Sequence, residues 1–137
     1  MAIIKLSMEP LDIPTLYAEL KSPEYGGLGI FVGTIRDMTP FADHTEHTDF
    51  VDYTAYEEMA IAELEKLAAP IEAAGNRVVI AHRIGHLEVM DEAVFIGVAS
   101  IHRKDALEAC HHLIDALKKT VPIWKKETDG LEERWGK

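Results

Sequence analysis

The segment A-V-F-I-G-V-A-S-I, from Ala93 to Ile101, is the clearest strand in the sequence, because it joins β-branched and aromatic residues with no charge. A second apolar strand is predicted from Arg77 to Ile84, and a short one from Leu87 to Val89 lies between them. Directly after the first segment, Arg103 to Lys119 predicts a long helix. Its apolar core stripe consists of Ala106, Leu107, Cys110, Leu113, Ile114 and Leu117.

Further elements are predicted on both sides of this region. In chain order they are a short strand at Ala2 to Leu6, a helix from Asp12 to about Leu20, a buried strand at Leu28 to Ile35, a strand at Phe50 to Tyr56, a helix at Glu57 to Ala74 and an extended segment at Ile123 to Thr128. The apolar face of the helix at 57–74 includes Met59, Leu64 and Ala68. Mixed strands and two main helices predict an α+β fold with a mixed, largely antiparallel sheet, in a single domain spanning residues 1–137.

The polar stretch from Met38 to Asp49 has no apolar period, which is typical of an exposed flexible loop. It contains H-T-E-H, His44 to His47, but a zinc-binding pair would need two histidines one helical turn apart. No metal site is expected there. Cys110 lies on an apolar helix stripe, where a buried structural thiol is the ordinary interpretation.

Composition excludes several classes of function. The formal net charge is −10, and such an acidic chain is repelled by the phosphate backbone of nucleic acid. No apolar run is long enough to span a membrane, and the first residues, M-A-I-I-K-L-S, have no long apolar h-region, so we expect no export. A single cysteine agrees with a reducing compartment. We therefore expect a soluble cytoplasmic protein without nucleic-acid or membrane partners, in which any bound anion meets a local basic pocket.

A cationic constellation stands out against this acidic background. Ten residues from Leu117 to Lys126 hold four lysines and no carboxylate. Arg36 ends a predicted strand, and His102 with Arg103 lies between another strand and its helix. Because rigid elements present side chains to pockets at their ends, these cations predict an anion site. An ordinary alternative remains, since lysines favour helix C-termini and protect exposed strands.

Several stretches resemble the catalytic, large-subunit family of molybdopterin synthase. They include F-V-G-T-I-R-D at 31–37, Y-T-A-Y-E-E-M-A at 53–60, A-H-R-I-G-H-L at 81–87, S-I-H-R-K-D-A-L-E-A-C at 100–110 and D-A-L-K-K-T-V-P-I-W-K-K-E at 115–127. The resemblance covers nearly the whole chain. Two positions depart from the family pattern: Thr54 stands where glutamate is usual, and Met90 where glycine is common.

The resemblance implies an α/β-hammerhead-like fold and a sulfurtransferase that needs no cofactor. Such enzymes convert cyclic pyranopterin monophosphate to molybdopterin, and they take two sulfurs from the C-terminal Gly-Gly thiocarboxylate of a small ubiquitin-like subunit. The implied assembly is a homodimer within a heterotetramer, and the implied catalytic residues are Lys118 and Lys125. The implied substrate-binding residues are Thr34, Ile35, Arg36, His102, Arg103, Lys118, Lys125, Lys126 and Glu127. Two other readings stay open, a non-catalytic module that binds a phosphorylated metabolite and a scaffold for a basic partner.

Spacing adds two hypotheses to this assignment. Successive side chains of an extended segment point to opposite faces, so Lys125 and Lys126 cannot both line one pocket. Arg103 and Lys118 lie at the two ends of one helix, about 22 Å apart at ~1.5 Å per residue. If both serve one small substrate, the simplest arrangement is a two-fold dimer that brings Arg103 of one chain near Lys118 of the other.

Overall fold

A computed structural model describes residues 2–130 and 132–136. The elements of this part of the chain, in order, are β1 (Ile3–Ser7), α1 (Ile13–Leu20), β2 (Gly27–Thr34), β3 (Met38–Pro40), β4 (Thr45–His47), β5 (Phe50–Ala55), α2 (Glu57–Ala73), β6 (Arg77–Arg83), β7 (Gly85–Glu88), β8 (Glu92–Ser100), α3 (Arg103–Thr120), β9 (Ile123–Asp129) and β10 (Glu132–Gly136). None of these helices is both long and apolar enough to cross a membrane. The predicted α+β class is confirmed.

The strands form two four-stranded sheets and one small hairpin. The first sheet has the order β1-β6-β8-β2, and the second has the order β10-β9-β5-β7. Only β1 and β6 run parallel among the described pairs, so the arrangement is largely antiparallel. The two sheets meet near the ends of β2 and β6, and this junction creates the site described below.

Helices cover both faces of the first sheet. One face packs Val78 and Ile80 of β6 against Leu64 of α2 and against Leu113 and Leu117 of α3. The opposite face packs the α1 leucines against β6 and β8, in a cluster of Leu16, Leu20, Val79, Ala81, Phe95 and Ala99. Each fully buried aliphatic or aromatic side chain contributes roughly 1.5–3 kcal/mol, so the first of these layers holds α3 firmly on the sheet and the second holds α1.

Two glycines of β2 allow α3 to approach the sheet edge closely. A Cβ on Gly27 would lie 2.7 Å from the backbone of Arg103, and one on Gly29 would lie 2.5 Å from the backbone of Ala106. Any larger residue would push the helix away. Gly27 and Gly29 therefore serve the close packing of α3 against β2.

Four sequence-based predictions about the fold were wrong. The stretch from Met38 to Asp49 is not a loop throughout, because β3 and β4 pair as an antiparallel hairpin within it. The strand predicted as buried at Leu28 to Ile35 is half exposed, because β2 is the edge strand of its sheet. Leu107 and Met59 were assigned to helix cores, but each is 58% exposed. The buried rows run through Ala106-Cys110-Leu113-Leu117 and Ala60-Leu64-Ala68. Leu107 follows the first row by one residue and Met59 precedes the second by one residue, so each is turned about 100° away from its buried row.

The fourth error concerns the C-terminus, where no strand was predicted. The segment E-E-R-W-G forms β10 and pairs with β9 from Glu132 opposite Asp129 to Gly136 opposite Lys125. Its residues are mostly exposed and charged, so they give no apolar alternation. The strand is held by the ladder and by ion pairs such as Lys126 to Glu133, 3.1 Å apart.

Candidate active site

A cavity of about 310 Å³ lies where the C-terminal end of α3 meets both sheets. The first sheet contributes the end of β2 and residue His82 of β6, and the second contributes Tyr53 of β5 and part of β9. The polar and charged lining residues are Thr34, Arg36, Tyr53, His82, Lys118, Lys125 and Glu127. Six separate segments therefore converge on one space, which is why no single stretch of sequence reveals it.

Strand alternation separates the two lysines of β9. Lys125 and Glu127 line the cavity, with the Lys125 Nζ 3.6 Å from a Glu127 carboxylate oxygen. Lys126 lies on the other face, where its Nζ is 3.1 Å from Glu133 and 5.8 Å from the centre of the Trp135 ring. The structure thus brings Lys125 to the cavity and places Lys126 outside it.

Lys118 occupies the last turn of α3 and faces Arg36 and Lys125 across the cavity. Desolvation of its ammonium lowers the pKa of Lys118, and the positive charges of Lys125 and Arg36 lower it further. Lys118 and Lys119 are both exposed, but only Lys118 lines the cavity. A lysine with a lowered pKa has a larger fraction of neutral amine near pH 7, which is the form that accepts a proton or attacks an electrophile.

The segment from Thr34 to Arg36 is held by backbone hydrogen bonds to the turn between β7 and β8. The amide of Ile35 donates to the carbonyl of Asp91 at 3.0 Å, and the amide of Met90 donates to the carbonyl of Ile35 at 2.7 Å. Met90 adopts a φ of 78°, in the left-handed region that favours glycine. Thr54, by contrast, is exposed on β5 and does not line the cavity.

His102 and Arg103 stand apart from this cavity. His102 is the N-cap of α3 and Arg103 is its first residue, so both lie at the opposite end of the helix from Lys118. Both side chains are exposed, and neither belongs to the described cavity lining. Within one chain the structure therefore brings together Thr34, Ile35, Arg36, Lys118, Lys125 and Glu127, but not His102, Arg103 or Lys126.

Two cavity residues were missed by the sequence reasoning. Burial, with the nearby charge of Glu127, raises the pKa of Tyr53 to about 12. Burial lowers the pKa of His82 to about 4, and the charge of Lys118 acts in the same direction. Both residues fall in stretches that resemble the family, yet each looked like an ordinary strand residue. For His82, a polar ring near the end of an apolar strand was the available signal.

Comparison with known proteins identifies the family. A family model described as MoaE protein matches residues 6–120. The molybdopterin synthase catalytic subunit 1 of Mycobacterium tuberculosis is 39% identical over 96% of this chain and 88% of its own length. The crystal structure of molybdopterin synthase from Staphylococcus aureus superposes with a TM-score of 0.87, at 33% identity, over 96% of this chain and 95% of that one.

A more distant structure shares the fold. The protein-protein complex of subunits 1 and 2 of the molybdopterin-converting factor from Helicobacter pylori contains a chain that matches with a TM-score of 0.80, at 22% identity, over 99% of this chain and 91% of that one. The family model covers most of the chain, including every element that lines the cavity except β9, and the two closer relatives each cover 96% of the chain. The chain therefore belongs to the MoaE family of molybdopterin synthase catalytic subunits.

Proposed function

We propose that this chain transfers sulfur to cyclic pyranopterin monophosphate and so forms the dithiolene of molybdopterin. As a member of its family it is an enzyme of molybdenum cofactor biosynthesis. The sulfur donor in this proposal is the C-terminal Gly-Gly thiocarboxylate of a small ubiquitin-like subunit. Two transfers are needed for one product, and the cyclic phosphate opens during the reaction.

The observation that carries the proposal is the convergence of Arg36, Lys118 and Lys125 on one cavity. The substrate phosphate and the thiocarboxylate are both anions, and charge-assisted hydrogen bonds to such groups are about twice as strong as neutral ones. Glu127 supplies the one carboxylate among the described lining residues, and it lies beside Lys125. Since the chain as a whole carries a charge of −10, this positive cavity is a local feature that directs anions to one place.

Within this proposal Lys118 and Lys125 are the catalytic lysines. The lowered pKa of Lys118 suits proton transfer or transient attack on the thiocarboxylate carbon. Lys125 is oriented by Glu127 and supplies positive charge next to the reacting groups. Arg36 holds the phosphate, because its planar guanidinium can form two parallel hydrogen bonds to an oxyanion.

The partner in this proposal enters as an extended tail. The Helicobacter pylori structure is a complex of subunits 1 and 2 of the molybdopterin-converting factor, which supports a second chain as the partner. A glycine-rich tail suits a narrow cavity, because glycine has no side chain and allows close backbone approach.

We further propose that the enzyme is a homodimer with shared sites, within a heterotetramer. His102 and Arg103 lie too far from Lys118 to contact the same small molecule in one chain. A two-fold axis near the exposed edge strand β2 would bring the start of α3 of one chain to the cavity of its partner.

The direct test is reconstitution. The purified chain is mixed with a thiocarboxylated Gly-Gly protein and cyclic pyranopterin monophosphate, and the pterin product is measured by fluorescence. We expect product to form in proportion to the thiocarboxylate consumed, two equivalents for each molecule of product. The same partner with an ordinary carboxylate is the control. Substrate binding without product would favour a non-catalytic metabolite-binding module instead.

A further inference from the structure

His82 is a cavity residue that the proposed chemistry does not yet use. Along β6, Val78 and Ile80 point toward α3 and pack in the core with Leu113 and Leu117. His82 continues this row by strand alternation, so it faces the end of α3 where the cavity begins. The polar ring of His82 therefore lies where the apolar row of Val78 and Ile80 reaches the cavity.

The ring of His82 is fixed in one tautomer. Its Nδ1 lies 2.6 Å from the backbone carbonyl oxygen of Arg83. Because a carbonyl can only accept, Nδ1 carries the hydrogen and donates it, and a neutral ring then has a bare Nε2. The ring is 5% exposed and packs edge-on against Tyr53, with centroids 4.9 Å apart at 78°. Its orientation is therefore set from two sides.

Burial keeps this ring neutral near pH 7, since it lowers the pKa of His82 to about 4. The ionisable groups that face it are Tyr53 from β5, Lys118 from α3, Lys125 and Glu127 from β9, and Arg36 after β2. Glu127 lies against Lys125. His82 is therefore an uncharged acceptor in a cavity whose donors are mostly cations.

Lys118 is the donor best placed for this acceptor. Its charge is close enough to oppose protonation of the ring, and the two side chains line the same cavity. The side chain of lysine has four rotatable bonds, so its Nζ can change position within the cavity that it shares with Nε2. An uncharged acceptor orients an ammonium without holding its proton as strongly as a carboxylate would.

We propose that His82 is a positioning residue whose bare Nε2 accepts a hydrogen bond from Lys118 and directs that amine toward the substrate. Only the consequence for catalysis rests on the proposed function. The hydrogen bond itself is a property of the free protein and can be tested without substrate.

The first test measures the titration of Lys118 directly. The folded protein is acetylated in short pulses from neutral to alkaline pH, and peptide mass spectrometry gives the midpoint at which each lysine becomes reactive. In His82→Phe the ammonium loses its acceptor, and we expect the Lys118 midpoint to fall by about one pH unit. His82→Gln retains a neutral acceptor and should stay near the wild-type midpoint. Lys119 and Lys126 serve as internal controls that should not move.

Equal Lys118 midpoints in the wild type and in folded His82→Phe would overturn the proposal. If His82→Phe does not fold, nitrogen NMR of the wild-type imidazole takes its place. We expect a bare Nε2 resonance that shifts in Lys118→Met, whereas a protonated Nε2 or an unchanged resonance would contradict the proposal. The acetylation and NMR measurements are both made without substrate. If the enzyme proved inactive, that result would count against the proposed function, and the two measurements would still test the hydrogen bond.

In the active enzyme, His82→Phe should lower kcat and shift its pH profile, while His82→Gln should restore much of the rate. If His82 has a purely structural role, both variants should lose stability. The pH profile of their remaining activity should then be unchanged. The melting temperature of each variant is measured alongside the rate, so the two cases are distinguished.

Discussion

The two ends of α3 carry similar charges in very different surroundings. At the C-terminal end, Lys118 meets Arg36 and Lys125 in a cavity that desolvates it and lowers its pKa. At the N-terminal end, His102 and Arg103 project into solvent beside the glycines of β2. Cationic side chains are present at both ends of α3, so their charge does not explain the difference. The comparison shows that the lowered pKa of Lys118 comes from its neighbours in the cavity.

The two ends of α3 also differ in whether a cavity surrounds their cations. The cavity end has cations from three elements and is complete enough to bind an anion. The outer end has the exposed cations but no described cavity of its own around them. If both ends serve one reaction, the outer end must complete a site on another chain.

The largest effect is expected at the cavity lysines. Replacing Lys118 or Lys125 by alanine should reduce sulfur transfer by roughly 100-fold or more, because each removes a charge or a proton-transfer group next to the reacting atoms. Lys119→Ala and Lys126→Ala are matched controls outside the cavity and should retain most activity. Product formation by the fluorescence assay measures all four variants. Equal activity of Lys125→Ala and Lys126→Ala would contradict the separation of the two faces of β9.

The second prediction asks whether the two ends of α3 meet across a dimer. Inactive Arg103→Ala protein is mixed with inactive Lys118→Ala protein under conditions that allow subunit exchange. Random exchange makes half of the dimers mixed, each with one intact site, so activity should recover to roughly a quarter of the wild-type value.

Two controls accompany this mixing experiment. Each variant is exchanged with itself, which should give no recovery. Mass spectrometry of differently labelled subunits confirms that mixed dimers have formed. Persistent inactivity in proven mixed dimers would show that the outer end of α3 does not complete the neighbouring cavity.

Part of this arrangement could be predicted from the sequence. The period of β9 separates Lys125 from Lys126, and the helix length separates Arg103 from Lys118, because both depend only on local geometry. The strands β6 and β8 could also be predicted, because a strand that is buried on both faces consists mostly of apolar residues.

The remainder depends on contacts between distant segments. Tyr53 and His82 are far apart in the chain, and only the junction of the two sheets brings them into edge contact at the cavity. The strand β10 is polar and is specified by pairing with β9, so it gives no periodic signal of its own. Leu107 and Met59 were misplaced because an apolar stripe read from sequence is wider than the row a helix buries.

A smaller effect is expected when the geometry of a cavity cation changes and its charge does not. Arg36→Lys replaces a two-pronged guanidinium by a point charge, so the affinity for cyclic pyranopterin monophosphate should fall by about tenfold. Titration calorimetry with the free substrate measures this directly. Arg103→Lys is the companion variant at the outer end of α3 and should weaken binding only if the site is shared. Unchanged affinity in both variants would show that electrostatic attraction alone holds the phosphate.

The smallest effect concerns the turn that holds Arg36 at the cavity. Met90 is 80% exposed and has a φ of 78°, a conformation that costs an ordinary L-residue about 1–2 kcal/mol. Met90→Gly removes this strain but adds roughly 0.5–1 kcal/mol of unfolded-state entropy, so we expect a net gain of about 0.5 kcal/mol. The free energy of unfolding in urea measures the gain. Gly75→Ala is the matched control, because Gly75 has a φ of 97° and open space around it, and it should lose about 1 kcal/mol.

The kcat of Met90→Gly tests a second point, namely how the turn holds Arg36 at the cavity. The bonds from Met90 to Ile35 and from Ile35 to Asp91 involve only the backbone, so Met90→Gly should preserve them and leave kcat unchanged. A stabilised variant with normal kcat would mean that the backbone bonds are sufficient to hold Arg36 at the cavity. A stabilised variant with reduced kcat would mean that the strained turn itself fixes the position of Arg36. The cavity end of α3 would then depend on the strained backbone at Met90, which has no counterpart at the outer end. A loss of stability would contradict the strain argument.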